Sequence, residues 1–136
     1  MAAPRVVVAG YLVRYPLGGY AWQALHFVAG LRALGCDVFF YEDTAYYADA
    51  YVPGASAMTT EYEYGVHATG AFFAAHGFGD AWGFWDAATD RYHGAAAERT
   101  RAALADADLF VNLAGVNRVP KARRARAVAA YVDLDP

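Results

Sequence analysis

Short, wholly apolar runs alternate along this chain with longer stretches of helical spacing. Val6-Val7-Val8-Ala9 is a β-branched run bounded by Pro4 and Gly10. That is how a strand buried on both faces of a parallel sheet reads. A loop from Tyr11 to Gly19 follows, with Pro16, Gly18 and Gly19 as its breakers. Ala21, Ala24, Leu25, Val28 and Leu31 then recur on one face. They predict a helix from about Tyr20 to Leu34, ended by Gly35. Asp37 to Tyr41 predicts a second strand, and the βαβ order predicts a right-handed crossover with both strands parallel.

The pattern returns late in the chain. Ala95 to Ala107 is helical in composition, Asp108 to Leu113 reads as a strand, and Val128 to Leu134 as another. The middle, from Thr44 to Gly94, is less regular and crowded with tyrosine and tryptophan. Within it His67 to His76 predicts a short helix and Trp82 to Asp86 a small extra strand. The whole predicts one α/β domain spanning residues 1–136, with a mostly parallel sheet.

Composition sharpens this picture in three places. Of 136 residues, 58% are hydrophobic and 18% charged. That is apolar for a free-standing domain, and the surplus covers either a large core or a surface that expects a partner. The formal net charge of −3 gives no basic field for nucleic acid or anionic membrane. The basic cluster Lys121 to Arg126 reads as a solvated turn or helix face. Cys36 is the single cysteine, so no internal disulfide forms, which fits a reducing compartment. It reads as a small buried residue. No run approaches the ~20 apolar residues of a membrane span, and no secretory signal is present, so the expectation is a cytoplasmic protein.

In an open parallel sheet, ligands bind beyond the carboxyl ends of the strands. Four segments meet that description: Tyr11 to Tyr20, Glu42-Asp43, Asn112 to Asn117, and Asp133 to Asp135. The first is the most informative. Arg14, Tyr15, Gly18 and Gly19 precede a helix N-terminus, where exposed N–H groups and the helix dipole favour an anion. Two glycines allow close approach, and Arg14 adds a bidentate donor; the alternative is a plain turn. Glu42 and Asp43 can act as a base, bind hydroxyls, or cap the next segment. Asn117 is equally open to a turn role and to ligand contact. His67 is the candidate general base among the histidines, with a structural or surface role as the alternative. The aromatic residues serve either as core or as a platform for sugar rings.

Several chemistries are excluded by spacing. The chain has no G-x-x-x-x-G-K-[ST], no G-x-G-x-x-G, no H-E-x-x-H and no G-x-S-x-G. The histidines have no zinc-like spacing and no cysteine partner, so no metal site is expected.

One family resemblance covers nearly the whole chain. Val8-Ala9-Gly10-Tyr11, then Arg14-Tyr15-Pro16-Leu17-Gly18-Gly19 and Trp22, resembles the opening of bacterial glycosyltransferases of the GT-B fold. Gly30 to Val38, Tyr41-Glu42-Asp43-Thr44, Tyr64-Gly65, Phe78 to Trp82, Tyr92-His93-Gly94 and Ala107-Asp108-Leu109 are similar to the same family. So are Ala114-Gly115-Val116-Asn117 and Tyr131 to Pro136. The resemblance implies a Rossmann-like three-layer domain, the N-terminal, acceptor-side half of a GT-B architecture. It implies transfer of a sugar from a nucleotide-sugar co-substrate to an acceptor, with no cofactor and no metal. The candidate substrate-binding set read from the strand ends is Arg14, Tyr15, Gly18, Gly19, Tyr20, Glu42, Asp43 and Asn117, and the resemblance implies that Gly18 and Gly19 lie at the cleft near the donor's phosphates or the reacting sugar. The sequence ends where the family crosses into its nucleotide-binding half. The expectation is therefore a half-enzyme with little activity alone, completed by a second chain or assembled as a homo-oligomer.

Overall fold

A computed structural model describes residues 2–121 and 123–134. The chain forms a six-stranded sheet in the order β6-β5-β2-β1-β7-β8. These strands are β1 (Arg5–Ala9), β2 (Asp37–Asp43), β5 (Trp82–Asp86), β6 (Arg91–His93), β7 (Leu109–Leu113) and β8 (Val128–Val132). Every neighbouring pair is parallel except β5 with the edge strand β6. A separate hairpin pairs β3 (Ala50–Val52) with β4 (Ala57–Thr59). The helices are α1 (Gly18–Ala33), α2 (Glu63–Ala75) and α3 (Thr100–Asp106). The expected mostly parallel α/β domain is therefore what the chain builds.

Alternation along the central strands sorts their side chains onto two faces. Val6, Val8, Val38 and Phe40 pack under α1 and α2 with Val28, Phe73 and Trp82. Val7, Ala9, Phe39 and Tyr41 pack on the other side with Phe110, Ala103 and Leu104, beneath α3. Both faces being covered explains why β1 reads as an unbroken apolar run.

The α1 stripe Ala21, Ala24, Leu25 and Val28 is buried as its spacing predicts. The helix starts two residues earlier than expected, at Gly18. It stops at Gly35, whose φ of +85° suits glycine, with the Gly35 and Cys36 N–H groups donating to Arg32 and Leu31. The short helix expected at His67 to His76 begins at Glu63, because Gly65, Thr69 and Phe73 extend its buried stripe by a turn.

Three further differences have local causes. The expected helix from Ala95 begins as a 3₁₀ turn at Ala97–Arg99, and regular α geometry starts only at Thr100. Buried Ala96 donates its N–H to Trp82 O, and Thr100 donates its hydroxyl to Ala96 O, so both are tied to the sheet. Trp82 to Asp86 forms a full parallel partner of β2 rather than a minor strand. The strands β3, β4 and β6 are three residues each, too short to show a period. Among the described residues no helix is long and apolar enough to cross a membrane.

Candidate functional site

The sheet grows outward from β1 through β2 and β5 to β6, then returns to place β7 on the other side of β1. The direction of winding reverses between β1 and β7. In open α/β sheets the crevice beyond the carboxyl ends at such a reversal is where ligands sit. The loop after β1, the ends of β2 and β5, and the turn after β7 all meet there.

Glu42, at the end of β2, holds the β1–α1 loop in place. It is fully buried. Its two carboxyl oxygens accept from Val13 N at 3.0 Å and Arg14 N at 2.9 Å. Burial pushes its pKa up to about 8, while the Arg14 guanidinium and the backbone N–H groups pull the other way. The loop is clamped from outside by α2. A Cβ at Gly65 would run into the Val13 carbonyl oxygen, so the helix reaches this contact only with glycine.

Arg14 is itself buried, at 2% exposure. Its guanidinium lies 5.8 Å from the ring centroids of both Tyr15 and Tyr47, and Nε has no hydrogen-bond partner. A buried cationic donor without a full set of acceptors is costly. It is an anion-seeking group next to a carboxyl that burial biases toward neutrality.

Period two along β2 sends the next carboxylate to the opposite face. Asp43 accepts from the Tyr41 hydroxyl at 3.0 Å, Ala45 N at 2.9 Å and Arg118 N at 3.1 Å. Burial raises its pKa, and these donors oppose the rise. Burial and the adjacent Asp43 keep the Tyr41 phenol protonated well above the usual tyrosine range. Asn117 then ties three strands together. Its Oδ1 accepts from Asp43 N at 2.8 Å, its Nδ2 donates to Gly10 O at 2.8 Å, and its carbonyl accepts from Asn112 Nδ2 at 2.9 Å. Gly10 follows β1, Asp43 ends β2 and Asn112 is the next-to-last residue of β7.

Glu42, Asp43 and Asn117 are thus assembled at one edge, with their polar atoms directed to the backbone of the fold. What faces outward is different. Tyr11, Tyr15 and Tyr20 form a ring cluster, with centroids 4.6 Å apart for Tyr11–Tyr20 and 6.2 Å for the other two pairs. Gly18 and Gly19 are the first two residues of α1. A Cβ at either would meet nothing within 4 Å, so packing does not require glycine there. Leu17 caps α1 without a side-chain hydrogen bond, and no acid occupies the first turn. Among the described residues, then, no N-cap side chain and no first-turn acid serves the N–H groups of that turn.

His67 is not in this group. It is exposed on α2 and lines a groove of about 450 Å³ with Asp86 and His93. The Asp86 oxygens accept from Ala88 N at 3.1 Å and the Thr89 hydroxyl at 2.7 Å. The Asp86 carboxylate is thus engaged by its own turn, while Glu61 and Glu63 line the same groove. Asp133 is exposed beyond β8, and Asp135 lies outside the described residues.

Tyr41, Tyr47 and Arg118 were not singled out from the sequence, although each borders the edge. For Tyr41 the signal was available, since it is one residue before Glu42 at a strand end and must face the other side. Arg118 is placed by the hydrogen bonds of its neighbour Asn117, which no spacing reveals. Among the described residues no group of three or more histidine, cysteine, aspartate or glutamate side chains is placed to hold a metal ion. In comparisons with known proteins, no family model, curated protein or solved structure matches the chain.

Proposed function

We propose that this chain is a Rossmann-like, ligand-holding domain that works as the acceptor-side half of a glycosyltransferase. In this reading a sugar moves from a nucleotide-sugar to an acceptor held at the carboxyl edge, and a second domain or chain completes the cleft. One observation carries the reading. At the β1–β7 reversal, the uncapped α1 N-terminus opens beside three clustered tyrosines. Donor N–H groups suit a phosphate or developing anion, and tyrosine rings offer an apolar face with a polar tip for a sugar. His67 would serve as base only if the acceptor reaches the α2 groove.

A second reading is favoured by the fate of the buried polar groups. Glu42, Asp43 and Asn117 are committed to backbone atoms, which makes this part of the edge a rigid platform whose two buried carboxyl groups are already engaged. That arrangement suits a non-catalytic sugar- or anion-binding domain. Glycosyl transfer from a nucleotide-sugar, assayed with the chain alone and with a supplied C-terminal GT-B domain, separates the two. Transfer in the mixture that falls with Tyr15→Ala, Tyr20→Ala and His67→Gln supports the transferase. Oligosaccharide binding without transfer in either sample supports the binding domain.

A further inference from the structure

Arg14 carries a buried charge for which the fold provides no polar partner. The residue is enclosed, at 2% exposure. Its backbone is satisfied, since its N–H donates to Glu42 Oε2 at 2.9 Å and its carbonyl accepts from Tyr51 N at 2.7 Å. Its guanidinium is not. Nε has no partner, and among the described residues the group takes part in no side-chain hydrogen bond and no ion pair. Glu42 acts on it electrically, yet both Glu42 oxygens are spent on the N–H groups of Val13 and Arg14. Burial also biases that carboxyl toward its neutral form. A desolvated cation left in this state costs stability and returns none to the fold. An acceptor from outside the chain would complete it.

What covers Arg14 is a lightly held segment. Residues 45–60 run as a strap between β2 and α2 and contain the β3–β4 hairpin. Between Ala45 and Thr60 only Ala50 is buried. The strap meets Arg14 through Tyr47, whose ring centroid is 5.8 Å from the guanidinium although the residue is 57% exposed. Tyr51 N ties the strap to Arg14 O, and Ala48 O accepts from the Tyr62 hydroxyl at 2.7 Å. A segment with so little buried surface opens at low cost compared with the core.

We infer that Arg14 is the receptor of a small organic monocarboxylate, which enters under the strap and pairs its two oxygens with the guanidinium between Tyr15 and Tyr47. The planar fork of an arginine matches the two oxygens of a carboxylate. The charge of the surroundings selects a monoanion. Asp86 and Asp49 act electrically on the same Tyr62 phenol as Arg14 does, and Glu42 acts on Arg14 itself. One negative charge offsets the guanidinium. A dianion such as a phosphate ester brings a second negative charge into a dry site already bordered by these acids, and is disfavoured. The inference does not rest on the transferase reading, because it requires binding alone.

The test is calorimetric titration of the intact chain at about pH 7, where Glu42 is still mostly protonated, with acetate and benzoate as probes. Acetamide and benzamide are their uncharged counterparts, and phenyl phosphate is the dianion. At least one carboxylate should saturate the chain at roughly millimolar concentration. It should bind roughly tenfold or more tightly than its amide, and more tightly than phenyl phosphate. Arg14→Lys keeps the charge but loses the fork and should weaken binding roughly tenfold. Arg14→Met should abolish binding. Its fold is checked by urea unfolding without ligand, and its midpoint should equal or exceed that of the wild type, because a buried unpaired charge has been removed. Exchange of the Tyr51 amide should slow in the complex as the strap closes over the ligand. The inference is overturned if neither carboxylate binds at tens of millimolar, if carboxylate and amide bind equally, or if affinity survives Arg14→Met. A lower urea midpoint for Arg14→Met also overturns it, since the guanidinium would then be satisfied within the fold. Tighter binding of phenyl phosphate refutes the monoanion assignment, and unchanged Tyr51 exchange refutes entry under the strap.

Discussion

Replacing Glu42 by glutamine removes the group that holds the β1–α1 loop, and the effect has two separable parts. The first is geometric. The carboxyl accepts one N–H on each oxygen, from Val13 and Arg14. An amide has a single acceptor oxygen, so its NH₂ must face one of those donors. One buried backbone N–H then loses its partner, at a cost of about 1–3 kcal/mol. The second part depends on pH. Burial raises the folded-state pKa from 4.5 to about 8. The folded protein therefore holds this proton more tightly than the unfolded chain does. The resulting stability is fully present below the unfolded value of 4.5 and is lost as pH rises through the folded value near 8. Within that window the loss is at most about 1 kcal/mol per pH unit, a few kcal/mol in all. Glu42→Gln has no such slope. Urea unfolding of both proteins across the window measures it. The stability advantage of the wild type over the variant should shrink steadily as pH rises from about 5 to about 8. An advantage that stays constant or grows would refute the reasoning, because the carboxyl would then be ionised throughout, with Arg14 and the N–H donors outweighing burial.

Four further substitutions probe the same edge. Asn117→Ala strips partners from Asp43 N and Gly10 O at once and should cost roughly 3 kcal/mol in chemical denaturation; a cost below about 1 kcal/mol would mean that water replaces the side chain. Gly65→Ala forces α2 away from the Val13 carbonyl and should destabilise by roughly 3 kcal/mol, with faster amide exchange in the β1–α1 loop. Gly18→Ala and Gly19→Ala meet open space and should each raise stability by up to about 1 kcal/mol. If a phosphate or sugar docks against that backbone, the same two changes should weaken its binding, so a variant that gains stability and keeps full affinity would place the ligand elsewhere.

The strands and helices with strong periods were legible in the sequence. β1, β2, β7 and α1 announce themselves because their burial repeats at two or at three to four residues, or fills a whole run. The three-residue strands were not, since a period needs more than one repeat to be seen. The carboxyl edge could be located from strand ends alone, which brought Arg14, Glu42, Asp43 and Asn117 onto one list. Their roles could not. Nothing in the order of residues says that Asn117 reaches Gly10, 107 positions away, or that both Glu42 oxygens are spent on the loop.

The sequence by itself therefore determined which segments are buried, which period each follows, and that a mostly parallel α/β sheet results. These are local properties, set by side-chain size and polarity along the chain. Only the tertiary structure decided which polar groups face inward. Strand order brought Asp43 and Asn117 within hydrogen-bond distance. The pleat sent Glu42 and Asp43 to opposite faces. The pairing of β5 with β6 laid Trp85 beside Tyr92 beneath Arg118. Each of these depends on contacts between residues distant in the chain, and on the desolvation that comes with them.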